Sequence, residues 1–208
     1  MHSELTFRIV FLAEWIVFLA ISYAWHPEQL SSRSIRGRLR DSSKWESKLD
    51  VVLRDVLFLF WFVALILYVV FPDWMMDYSL PLSVLLRWIG VGVGVSSFPL
   101  LAWAHHSLGE RFSPNLRLRI EHRLVTIGPY RWMRHPMYAA EATFMIAVAL
   151  ESANWLVALP MIAGTAALCA RVRKEETMMI ERFGDNYRAY MKRTGRFLPR
   201  IKHSSKQM

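Results

Sequence analysis

Arg171 and Glu175 lie four residues apart in the run Arg171-Val172-Arg173-Lys174-Glu175-Glu176, so on a helix a guanidinium and a carboxylate share one face. As a solvated salt bridge such a pair is worth only about 0.3–0.5 kcal/mol. In a dehydrated site the carboxylate can hold an ammonium and the guanidinium a carboxylate. Spacing alone favours the solvated bridge. Tyr138 and Glu141, three apart inside an apolar stretch, form a second pair on one helix face. A carboxylate at that depth makes either a polar contact between helices or a functional group. His105, His106, His122 and His135 belong to no HExxH pattern, no CxxC accompanies them, and Cys169 is the lone cysteine. Neither a metal site nor a nucleophile–base pair is expected from these residues.

The elements that must position these groups are apolar. Of 208 residues 54% are hydrophobic, among them nine Trp, twelve Phe and seven Tyr. They occur in unbroken blocks rather than at the spacing of a soluble domain. This excludes a disordered chain, a disulfide-stapled module and a fibrous repeat. Five apolar segments stand out: Leu5 to Trp25, Val51 to Phe71, Leu82 to Trp103, Met137 to Leu150 and Trp155 to Ala170. The last two are short for a span of about 20 residues and are separated only by Glu151, Ser152, Ala153 and Asn154, which predicts a tight helical hairpin. Gly90 and Gly94, four apart, are read as a close helix–helix contact. Glu14 lies deep in the first segment, while Arg54, Asp55 and Arg87 sit near span ends and are expected to snorkel. The fold class is all-α: a membrane helical bundle of about five spans, with residues 1–104 as N-terminal spans and 105–208 as a functional C-terminal region.

Almost all of the basic residues behind the net charge of +9 lie between the apolar blocks. Residues 26–50 carry Arg33, Arg36, Arg38, Arg40, Lys44 and Lys48; six more basic residues lie in 105–136 and eleven in 171–208. Pro72 to Leu80 carries only Asp73 and Asp77, and the hairpin turn only Glu151. Basic loops stay cytoplasmic, which places the N-terminus outside and the C-terminus inside. The same placement assigns the basic residues to lipid headgroups and not to nucleic acid. Met179, Phe183, Tyr187 and Tyr190 recur at helical spacing, which predicts an amphipathic stretch against the inner membrane face with the two tyrosines in an aromatic belt.

The order His122-x-Leu124-Val125-Thr126-x-Gly128-Pro129-Tyr130, then Arg134-His135-Pro136-x-Tyr138, then Arg171-x-x-x-Glu175-Glu176 and Phe183-Gly184-x-x-Tyr187-x-x-Tyr190, resembles the isoprenylcysteine carboxyl methyltransferase family. The resemblance covers about His122 to Ile201. It implies an integral-membrane enzyme that binds S-adenosylmethionine near the cytoplasmic face. Position by position, it implies cofactor contacts at His122, Leu124, Val125, Tyr130, His135, Pro136, Tyr138 and Glu175, with Arg171 toward the substrate. Asn115 aligns with a further polar contact, and Met137 departs from the small residue of some relatives.

The function expected on this basis is methyl transfer to a lipophilic acceptor that enters from the bilayer. An isoprenylcysteine-like carboxylate is one acceptor, and a phospholipid amine or a lipophilic thiol are others. No obligate protein partner is evident. A nicotinamide-dependent membrane reductase is the enzymatic alternative and a small transporter the non-enzymatic one. A transporter should show charges along a pathway through several spans, whereas here the polar motifs sit at one membrane face.

Overall fold

The computed structural model describes residues 2–24, 48–109 and 124–200. Most of the first basic loop, Asn115 and His122 lie outside the described residues. The chain forms α1 (His2–Ala24), α2 (Lys48–Val70), a short α3 (Pro72–Met76), α4 (Val84–Leu108), a 3-10 turn (Gly128–Arg131), α5 (Pro136–Ser152), α6 (Trp155–Phe183) and α7 (Asp185–Arg193). Among the described residues β-pairing is limited to two isolated bridges, so the fold is all-helical as expected.

Four segments are long and apolar enough to cross a membrane: Glu4–Ala24, Val52–Val70, Val84–Leu108 and Trp155–Phe183. Their outer faces carry exposed apolar residues such as Leu5, Ile9, Phe60 and Leu85, the arrangement expected where lipid replaces water as solvent. Helix α5, expected as the fourth of five spans, has 17 residues. At about 1.5 Å per residue it extends about 26 Å, short of a hydrocarbon core of roughly 30 Å. Helix α6 is longer than the expected segment: it runs past Ala170 without a break to Phe183, 29 residues in all. The helix that crosses the membrane therefore also carries Arg171 and Glu175, which gives them a rigid mount.

Helix α5 is the hub and packs against α1, α4 and α6. The two glycines of α4 admit different neighbours. A Cβ at Gly90 would meet the backbone of α5 at Ala147 and Glu151, and one at Gly94 would meet the Glu14 carboxylate of α1. The hairpin turn is tight because Ala153 adopts a left-handed conformation and the Asn154 side chain caps α6, accepting from Leu156 N–H at 3.0 Å. Asn154 Nδ2 donates to the Met75 carbonyl at 2.7 Å, and Trp155 N–H to the Tyr78 carbonyl at 2.9 Å. The two poorly charged loops thus meet at one end of the bundle.

Arg87 does not snorkel. It is 5% exposed, pairs with Glu4 of α1, donates to the Glu151 carbonyl at 2.8 Å and lies 3.8 Å above the Phe7 ring. A charge this well partnered gains nothing by reaching for the interface. Arg54 and Asp55 form an ion pair at 3.5 Å near the start of α2.

Candidate functional site

The two spaced pairs face each other across α5 and α6. The Tyr138 hydroxyl is hydrogen-bonded to the Glu175 carboxylate, and Arg171 and Glu175 both lie close enough to Glu141 to act on its charge. One guanidinium, two carboxylates and one phenol therefore form a single cluster. Glu175 Oε2 is buried and has no hydrogen-bond partner among the described residues. A buried carboxylate oxygen left unsatisfied is costly, so this atom is a ready acceptor for an ammonium.

Beside the cluster is a cavity of about 450 Å³ between α1, α2, α5 and α6. Arg54, Glu141, Arg171 and Lys174 gather at one end. Antiparallel packing brings the polar ends of the four helices to the same level, because Tyr138 opens α5 while Arg171 lies in the later part of α6. From there the walls are apolar, and Trp15 and Trp61 line the opposite end. His105 also lines the cavity, and Tyr138 separates it from Glu175, which does not line it. The site has the form of an apolar pocket with a few convergent polar groups.

A second carboxylate, Glu176, braces the cluster. Its Oε1 accepts from Arg134 Nε at 2.8 Å and its Oε2 from Arg196 Nη2 at 2.5 Å, with His135 Nε2 at 3.4 Å. Arg134 also donates to the Thr194 carbonyl at 2.6 Å. Met133 and Gly195 form a bridge, so the end of the chain straps the 128–135 segment onto α6. Glu176 escaped the sequence reading because two successive glutamates on a helix point about 100° apart and nothing local says which one turns where. Arg134 and Arg196 were the visible signal, as cations flanking the motif with no stated partners.

The remaining expected site residues are placed at varying distances from the cluster. His135 is buried, precedes α5 and stacks on Tyr138 with ring centroids 5.7 Å apart. Pro136 is the buried first residue of α5, where its missing N–H costs nothing. Tyr130 and Val125 pack with Leu101, Ala104, Met137 and Ala140, one layer from the cluster, and Leu124 is half-buried at the edge of the described chain. Glu141, Arg54, Lys174 and His105 were not assigned to the site from sequence, yet they line the cavity.

Tyr187 and Tyr190 are not an interfacial belt. They are 2% and 3% exposed, and the Tyr190 hydroxyl donates to the Tyr130 carbonyl at 2.6 Å. Gly184, with φ of +54°, turns α7 back so that its aromatic face packs on the protein. Burial pushes the Tyr190 hydroxyl up to about 12 and the Tyr130 hydroxyl well above its ordinary value, so both stay protonated donors.

Residues 90–181 match the model of the isoprenylcysteine carboxyl methyltransferase (ICMT) family. The chain is 35% identical over 82 residues to a protein-S-isoprenylcysteine O-methyltransferase of Xenopus laevis, covering 39% of this chain and 28% of that protein. It is 26% identical over 206 residues to the protein of the same name from Dictyostelium discoideum, covering 92% of this chain and 77% of the relative. A solved structure of the eukaryotic intramembrane Ras methyltransferase ICMT aligns with a TM-score of 0.55 at 24% identity, covering 91% of this chain and 63% of that one. That likeness is one of fold.

Proposed function

We propose, because residues 90–181 match the isoprenylcysteine carboxyl methyltransferase family, that the chain is an integral-membrane methyltransferase acting on a lipophilic carboxylate, with S-adenosylmethionine as donor. The observation that carries this reading is the junction of an apolar cavity with a cluster holding Arg171 on the cavity side and an orphaned carboxylate oxygen on Glu175 behind Tyr138. The cavity suits an apolar tail. Arg171, with Lys174 and Arg54 at the same end, suits a carboxylate head.

The donor's chemistry fits the residues present. S-adenosylmethionine, when bound, would supply a methyl group on a sulfonium; a carboxylate oxygen can attack that methyl in line, forming the O–C bond as the C–S bond breaks and a neutral thioether leaves, without a metal. Glu175 would hold its ammonium, with the Tyr138 hydroxyl fixing the carboxylate's orientation. His135, stacked on Tyr138, keeps that phenol in place. Tyr130, Val125, Leu124 and Pro136 build the wall on which this arrangement rests, and His122 completes the expected set. Arg171 neutralises and aims the acceptor, while the apolar walls exclude water from the nucleophile.

The N-terminus is proposed to lie outside and the C-terminus in the cytoplasm. The meeting of the 72–80 segment with the 151–154 turn at one end supports this, since the described basic residues Arg131, Arg134, Arg171, Arg173 and Lys174 lie toward the other.

Calorimetry on the detergent-solubilised chain tests the reading against its enzymatic rival. S-adenosylmethionine should bind and a nicotinamide nucleotide should not. The opposite result would replace the methyltransferase with a reductase.

A further inference from the structure

Tyr138, Glu141 and Met145 line the cavity from α5 at the spacing of one helix face. That face passes from polar to apolar along the helix, and Glu141 sits at the change, about 4.5 Å beyond Tyr138. Among the described residues no hydrogen bond or ion pair reaches its carboxylate, although Arg171 and Glu175 are close enough to act on its charge. The cations at this end of the cavity are Arg54, Arg171 and Lys174, and among the described residues none of them forms an ion pair with Glu141. A carboxylate beside apolar walls is costly until a counter-ion reaches it. The head-group end therefore holds a guanidinium suited to an anion and, on the facing helix, a carboxylate suited to a cation.

The geometry points to Glu141 as the seat of an α-ammonium on the acceptor, which makes the substrate a lipophilic amino acid with a free amine and not an N-acylated one. This rests on the function proposed above and narrows its acceptor class. In an S-alkyl cysteine the carboxylate, the ammonium and the tail-bearing thioether arm all leave one carbon. With the tail among the apolar walls, the carboxylate goes to Arg171 and the ammonium to Glu141, both present at the polar end. Each charge then meets one of opposite sign in a charge-assisted hydrogen bond. The pairing also directs the chemistry. A free amine competes with a carboxylate for a methyl group, but a nitrogen held as ammonium has no lone pair to do so. The carboxylate oxygen forms the new O–C bond as the C–S bond of the sulfonium breaks, a neutral thioether leaves, and no proton moves.

The test uses the full chain in lipid vesicles and three acceptors with the same tail: an S-alkyl cysteine, its N-acetyl derivative and the S-alkyl mercaptopropionate, which has no nitrogen. Methyl-ester formation is followed with kcat and KM separated. For the wild type, kcat/KM for the free amine should exceed that for the other two by about tenfold or more, the scale of one charge-assisted hydrogen bond. Glu141→Gln should remove this advantage by raising KM for the free amine. Glu141→Asp, which keeps the charge, should retain part of it. Equal or reversed preference among the three acceptors in the wild type overturns the proposal, whether or not the variants fold. So does a Glu141→Gln protein that slows all three alike, the result expected of a carboxylate that only positions Arg171. Methyl esters on none of the three refute the function itself, and the ammonium site with it.

Discussion

Glu175→Gln separates the two meanings of the Arg171–Glu175 pair. The Tyr138 hydroxyl faces the Glu175 carboxylate, and Glu175 Oε2 is buried without a hydrogen-bond partner among the described residues. Glutamine has the same shape and can still accept from Tyr138 through its amide oxygen, so the substitution removes mainly the charge. If Glu175 holds the donor's ammonium, the loss is that of one charge-assisted hydrogen bond, about 1.5–3 kcal/mol. That corresponds to a rise in donor Kd of about 10- to 150-fold. The ligand-free protein should not suffer, because an unsatisfied carboxylate oxygen is a cost of the folded state, and its Tm should hold or rise. A purely structural pair predicts the reverse, with a lowered Tm and an unchanged Kd. Titration of the solubilised variant with S-adenosylmethionine, alongside thermal melting in the same detergent, reads both quantities. An unchanged Kd with a lowered Tm would refute the assignment.

Arg171→Lys keeps the charge but loses the planar fork; turnover should fall more than about tenfold, or about 1.4 kcal/mol at the transition state, with donor affinity nearly unchanged by titration. Gly90→Ala puts a Cβ 2.9 Å from the Glu151 backbone nitrogen and 3.0 Å from the Ala147 carbonyl oxygen and should destabilise by about 1–3 kcal/mol. Gly92→Ala on the same helix, where nothing lies within 4 Å, should be neutral or stabilising by up to about 1 kcal/mol; thermal melting compares the two. Glu176→Gln strips the buried Arg134 of its charged partner and should cost on the order of 3 kcal/mol. Limited proteolysis should then cut sooner after Arg196, because the terminal strap is released.

The sequence made plain whatever depends on near neighbours along the chain. The apolar blocks mark the helices, and the 151–154 turn was visible because only four polar or small residues divide two such blocks. The pairs Tyr138/Glu141 and Arg171/Glu175 were visible as helix faces, since three or four residues bring side chains onto one side. What joins distant segments was not visible. Arg87 finds Glu4 from 83 residues away, and Tyr190 reaches the Tyr130 carbonyl from 60 away. The period of 3.6 shows that Tyr187 and Tyr190 share a face, but not whether lipid or protein covers it. The aromatic face of α1 lay between these cases. Phe7, Phe11, Trp15 and Phe18 form an i, i+4, i+8, i+11 stripe that announces a packed face, yet only the fold shows that Trp61 and Phe144 meet it.

The central claim is that Arg171 and Glu175 serve a methyl transfer to a carboxylate at the head of an apolar tail. The most direct measurement incubates the purified chain in vesicles with methyl-labelled S-adenosylmethionine and a single-tailed cysteine thioether. The product is then treated with mild base. A methyl ester releases its label as volatile methanol under base, whereas methyl groups on nitrogen or sulfur stay attached. The account predicts base-labile label that depends on the acceptor's free carboxylate and falls more than about tenfold in Arg171→Lys. Base-stable label, or label that persists on an acceptor whose carboxylate is blocked as an amide, would contradict it.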